Sequence, residues 1–221
     1  MRRPLIAGNW KMHLTVAQAG SLAAAVADAV APLDGVEVLL GPPATALAAV
    51  SALVAPRGIS LAAQTMHWAD QGAYTGEIAP PMVREWAAYV ILGHSERRQL
   101  FGETDAELGR KVHAAFAHGL TPILCVGEGL AEREAGRADA VVLEQLVALE
   151  GIAEQEAARL VLAYEPIWAI GTGRACDPAE AARMMDLLRR ALAERFGSAA
   201  AAGARLLYGC LLYTSPSPRD R

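Results

Sequence analysis

Cysteine is scarce in this chain, aromatic side chains are few, and cations are outnumbered by anions. The three cysteines, Cys125, Cys176 and Cys210, are odd in number and far apart, and no C-x-x-C pair occurs. This excludes a disulfide framework and argues against a zinc site. The five histidines contain no H-x-x-x-H pair, so no metal site is expected. Lys and Arg number 20 against 24 Asp and Glu, a formal charge of -4 without a long basic run. A nucleic-acid partner is therefore not expected, because such affinity comes largely from phosphate neutralisation. The longest uncharged stretch, Val38 to Pro56, is cut by Gly41, Pro42 and Pro43 and leaves too little to cross a bilayer, so no membrane association is expected. Pro4 and the segment Gly8 to Lys11 interrupt any signal-peptide pattern, which makes the cytoplasm the expected compartment. Aromatics are 5% of the chain but hydrophobic residues 53%, the composition of one globular domain with a sizeable core rather than of a disordered chain.

What is present is an alternation. Short apolar runs, Pro4 to Asn9, Val36 to Gly41, Ile59 to Ala63, Tyr89 to Gly93, Thr121 to Val126, Arg159 to Tyr164 and Ala204 to Tyr208, are separated by longer Ala-rich segments of helical character. Such alternation predicts repeated βα units around a parallel sheet. Thr15 with Gln18, Thr104 with Glu107 and Asp177 with Glu180 fit capping boxes, Pro178 fits a first helical position, and Gly119 and Gly197 fit helix ends. Runs such as Val90-Ile91-Leu92 suit strands covered on both faces. Pattern alone leaves both an open doubly wound sheet and a closed barrel.

Three polar clusters follow predicted strands: Asn9 and Lys11 after the first, His94, Ser95 and Glu96 after the fourth, and Glu165 after the sixth. Parallel strands share a direction, so these side chains belong to the carboxyl-end rim, where α/β folds place ligands. A cation, an imidazole and a carboxylate suit proton transfer beside a carbonyl on an anionic substrate. Glu165 is then the base, His94 the hydrogen-bond donor and Lys11 the counter-charge. Each has a bland account by itself: a solvated lysine, a structural histidine, a glutamate ending a strand. The three together weaken those accounts. Pro166-Ile167-Trp168-Ala169-Ile170-Gly171-Thr172-Gly173 joins a rigid proline, an apolar middle and hinge-capable glycines, the composition of a lid.

The runs Ala7-Gly8-Asn9-Trp10-Lys11-Met12, Ile91 to Arg98, Cys125-Val126-Gly127-Glu128 and Ala163 to Gly173 resemble the triosephosphate isomerase family, in order from residue 5 to about 209. The resemblance implies interconversion of dihydroxyacetone phosphate and D-glyceraldehyde 3-phosphate, a step of glycolysis and gluconeogenesis, through an enediolate and without a cofactor. It implies Lys11, His94 and Glu165 as catalytic residues and Asn9, Lys11 and Gly171 as substrate-binding. Ser95 and Glu96 would support them, and Pro166, Ile167, Trp168, Ala169, Ile170, Gly171, Thr172 and Gly173 would form the lid. It also implies a homodimer in which Thr75, on an interface loop from Gln64 to Glu77, reaches the partner's site.

Two departures from the family stand out. Thr65 follows Gln64 where the family has asparagine, and Tyr208-Gly209 runs into Cys210 and an unrelated tail instead of a last βα unit with its phosphate turn. The expected fold is thus α/β, a TIM (β/α)8 barrel lacking its last βα unit. Residues 1–209 would form the incomplete barrel and residues 210–221 a disordered tail. The alternatives to an active isomerase are an inactive fragment of that enzyme, or another sugar-phosphate enzyme on a related barrel.

Overall fold

The computed structural model describes residues 2–170 and 175–209. Among them are seven strands: β1 (Leu5–Asn9), β2 (Glu37–Gly41), β3 (Ser60–Ala63), β4 (Tyr89–Leu92), β5 (Thr121–Val126), β6 (Val161–Tyr164) and β7 (Arg205–Tyr208). They lie in one sheet in sequence order. The pairing is parallel, as between β1 and β2 from Leu5↔Glu37 to Asn9↔Gly41 and between β6 and β7 from Val161↔Arg205 to Tyr164↔Tyr208. Strands follow one another through helices: α1 (Val16–Val30), α2 (Leu47–Val54), α3 (Pro80–Arg84), α4 (Ser95–Phe101), α5 (Asp105–Ala117), α6 (Leu130–Glu134), α7 (Ala138–Glu144), α8 (Glu154–Ala157) and α9 (Pro178–Gly203). Sequence-order parallel pairing with helical crossovers is the topology of successive units of a TIM barrel. All seven strands expected from the sequence form, with boundaries shifted by at most two residues.

The chain divides into two compact units. The first comprises residues up to Leu92 with Lys111–Pro122, and the second comprises Gly93–Arg110 with residues from Ile123 onward. Leu39, Val50, Val54, Leu61, Val90 and Val112 are buried in the first unit. Leu108, Leu124, Leu149, Leu160, Leu162 and Met184 are buried in the second. Both cores are built of aliphatic side chains on strand and helix faces, at about 1.5–3 kcal/mol for each fully buried large side chain.

The caps form largely as the sequence predicts. Thr15 and Gln18 make a reciprocal capping box on α1, and at α5 Glu107 accepts from the Thr104 amide while Thr104 accepts from the Glu107 amide. At α9 the Asp177 carboxylate accepts from the Ala179 amide at 2.7 Å. Glu180 does not complete that box, because its carboxylate is drawn to Arg133 and Arg183. Gly119 takes a left-handed conformation just past α5. Gly197, expected to end a helix, breaks α9 at φ 87°, but the alanine-rich residues beyond it resume helix to Gly203. Among the described residues no helix is long and apolar enough to cross a membrane, and no group of three His, Cys, Asp or Glu could hold a metal ion. Residues 210–221, the expected tail, lie outside the described residues.

Candidate active site

The second unit brings His94, Ser95, Glu96 and Glu165 together. Leu92 ends β4, Gly93 turns the chain at φ 69°, and His94 is the N-cap of α4. The first turn of a helix leaves amides without intrahelical partners. Here one of them, from Glu96, donates to His94 Nδ1 at 3.2 Å, and another, from Ser95, donates to Glu165 Oε2 at 3.0 Å. Because Nδ1 accepts an amide proton, the proton of a neutral ring sits on Nε2. That nitrogen lies 3.3 Å from Glu165 Oε1. The Glu96 carboxylate is 3.5 Å from Nδ1, and its side chain is 44% exposed, so it is the weaker neighbour of that nitrogen.

Glu165 follows β6 directly, and its residue is only 5% exposed. Its amide donates to Val126 O at 2.8 Å, which continues the β5–β6 pairing beyond the last strand residue. A Cβ on Gly209 would lie 3.1 Å from Glu165 Cγ, so a glycine here leaves the carboxylate its room. The buried Cys125 thiol is held well above its usual range, first by burial and then by the Glu165 charge. It is a packed core group, not an activated nucleophile.

Asn9 and Lys11 lie in the first unit, at and just beyond the end of β1. Lys11 is one of two non-glycine residues with positive φ among the described residues, at 51°. The left-handed region costs an L-residue about 1–2 kcal/mol. The turn is held on both sides: Lys11 N donates to Asn9 Oδ1 at 3.0 Å, and Lys11 O accepts from Gln64 Nε2 at 2.7 Å. Gln64 Nε2 also donates to Gly41 O at 2.9 Å. Thr75 is exposed. Thr65 Oγ1 is 3.5 Å from the buried Lys111 ammonium.

Of the lid sequence, Ile167–Ala169 forms a single 3-10 turn, with Pro166 and Ile170 on either side; Gly171, Thr172 and Gly173 lie outside the described residues. Trp168 Nε1 donates to Glu128 Oε1 at 2.8 Å, the same oxygen that receives Tyr164 OH at 3.1 Å. The Arg133 guanidinium stacks 4.6 Å from the Trp168 ring centroid and pairs with Glu128 and Glu180. Burial and the adjacent Glu128 charge push the Tyr164 hydroxyl well up, so it remains a donor.

Several supporting residues were not singled out as site residues from sequence. Arg98 donates to Gly93 O at 2.8 Å and to Asp105 at 2.6 Å, and Glu103 accepts from Gly93 N at 3.2 Å. The peptide groups on both sides of Gly93, just before His94, are thus fixed. Arg98 stood within a quoted run, yet only contact geometry assigns it this part.

The sheet topology and a buried carboxylate bonded to an oriented imidazole define an α/β enzyme equipped to move a proton. The family model described as triosephosphate isomerase matches residues 4–212. The chain is 51% identical to the triosephosphate isomerase of Symbiobacterium thermophilum, over 95% of this chain and 82% of that protein. It is 50% and 49% identical to those of Chloroflexus aurantiacus and Herpetosiphon aurantiacus, each over 95% of this chain and 84% of the relative. The chain belongs to the triosephosphate isomerase family and is an isomerase.

Proposed function

We propose that Glu165 is the base of the isomerisation. It takes a proton from the carbon beside the carbonyl of a triose phosphate and returns one to the neighbouring carbon. His94 hydrogen-bonds the carbonyl oxygen through its Nε2–H as the enediolate forms, then gives that proton to this oxygen and takes the hydroxyl proton from the neighbouring oxygen, so the ring ends neutral as it began. The observation that carries this reading is the His94 arrangement, with Nδ1 occupied by the Glu96 amide and Nε2 3.3 Å from the carboxylate. In the free protein the two groups partner each other; substrate takes the place of that contact and presents its carbonyl oxygen to one and its C–H to the other. Enediolate charge is stabilised by donors already in place, which avoids reorganisation at the moment of reaction.

Lys11 and Asn9 bind substrate, Lys11 as counter-charge to the phosphate. The positive φ of Lys11 supports this, since strain held by flanking hydrogen bonds is common where function fixes a side chain. Pro166 to Gly173 closes over the substrate, with Gly171 binding phosphate, and excludes water from the enediolate. The protein works as a cytoplasmic homodimer, with Thr75 at the partner's site. The exposure of Leu100 and Phe101, adjacent at the end of α4, supports an apolar contact between copies.

The test is isomerisation of either triose phosphate in D2O. Turnover with deuterium entering at the carbon-bound position of the product is the expected result. Turnover with no solvent deuterium in the product at any extent of reaction would rule out a solvent-exchanging carboxylate base.

A further inference from the structure

Gln145, in the 3-10 segment Gln145–Leu149 that follows α7, makes an unusual pair of bonds. Its Oε1 accepts from Gly127 N at 2.8 Å and its Nε2 donates to Gly127 O at 3.0 Å. One side-chain amide thus satisfies both backbone groups of one residue. Gly127 is buried and lies against the Glu165 backbone: a Cβ built on it would fall 1.8 Å from Glu165 O. The flanking carbonyls face the other way, Val126 O accepting from Glu165 N at 2.8 Å and Glu128 O from Ile167 N at 3.1 Å. The segment 126–128 is therefore braced on one side by Gln145 and on the other carries the backbone of the base and of the start of the lid. The Gln145 amide thus gives the Gly127 N–H and C=O the partners that a neighbouring strand would otherwise supply.

We infer that Gln145 is a positioning residue for Glu165: by holding the Gly127 peptide groups it fixes the height of the Glu165 backbone, and with it the carboxylate, relative to His94. The inference rests on Glu165 being the base. Small misplacements of a reacting group cost rate much more than affinity, because the transition state has the stricter geometry.

Gln145→Met keeps length and volume but removes both hydrogen bonds. Measured on the whole chain, it is expected to lower kcat by about tenfold or more while KM stays within about twofold. It is also expected to speed hydrogen exchange at the Ser95 amide, which is bonded to Glu165 Oε2. Leu149→Ala is the comparison, a cavity at the other end of the same segment that leaves the Gln145 side chain in place. It should lower Tm without changing kcat or Ser95 exchange. Unchanged kcat in Gln145→Met, or an equal loss of kcat in Leu149→Ala at equal Tm, overturns the inference. If Gln145→Met does not fold, Gln145→Glu, which retains an acceptor for the Gly127 amide but loses the donor to Gly127 O, serves: a kcat below wild type at nearly unchanged KM with faster Ser95 exchange supports the role, and wild-type values overturn it. Glu165→Asp separates the two readings. If it leaves kcat unchanged the base assignment falls; if it lowers kcat while Gln145→Met does not, only the positioning role falls.

Discussion

At the scale of single residues, the site spends polar groups on holding other polar groups still. His94 has its ring oriented by one amide, and Glu165 has one oxygen held by another. Glu165→Asp keeps the charge but withdraws it by a methylene. We expect kcat to fall by about 100-fold with KM nearly unchanged, read under conditions where chemistry is rate-limiting. Lys11→Met should behave differently, raising KM and lowering kcat together, because a phosphate counter-charge acts in both the ground and transition states. A Lys11 variant with wild-type KM would remove it from substrate binding. Gly127→Ala should lower both Tm and kcat, since its methyl cannot occupy a position 1.8 Å from Glu165 O without displacing that backbone. A variant with wild-type Tm and turnover would mean the close approach is readily relieved.

At the scale of elements, the start of α9 is tied to α7. Arg183 makes a bidentate bond to Asp139 at 2.7 and 2.9 Å and also bonds Glu180. Its hydrogen bonds hold both carboxyls below their usual ranges. Groups whose folded pKa is depressed contribute stability above their unfolded pKa, and that contribution is lost as pH falls through the folded value. Arg183→Met should therefore lower Tm near neutral pH by roughly 1–3 °C, a small effect because the pairs are exposed. The difference from wild type should shrink as pH falls below the ordinary carboxyl range and vanish once both carboxyls are protonated. A Tm difference that does not change with pH would show that the arginine acts by packing. The capping boxes at α1 and α5 were legible because they are local, three residues apart in sequence. The Glu180 departure was not, because its competing partners, Arg133 and Arg183, include one 47 residues away.

At the scale of the whole molecule, β1 and β7 stand at the two ends of the strand order, so among the described residues each has one neighbouring strand. Strand edges with unused backbone groups are a stability and aggregation liability. Replacing residues 210–221 by a βα unit of the family's kind should raise Tm and turnover relative to the 221-residue chain. Equal values would mean that seven strands suffice. The sequence by itself determined the seven strands, their parallel sense and the identities of Asn9, Lys11, His94 and Glu165 as candidates, because hydrophobic period and strand-end position are local properties. Tertiary structure alone decided which nitrogen of His94 faces Glu165, that Gln64 secures the strained Lys11 turn, and that Arg98 and Gln145 brace the peptides packed beside His94 and Glu165. Those contacts join residues between 5 and 71 positions apart. No periodicity records them, since a side-chain amide reaching a glycine backbone leaves only an ordinary glutamine in the sequence.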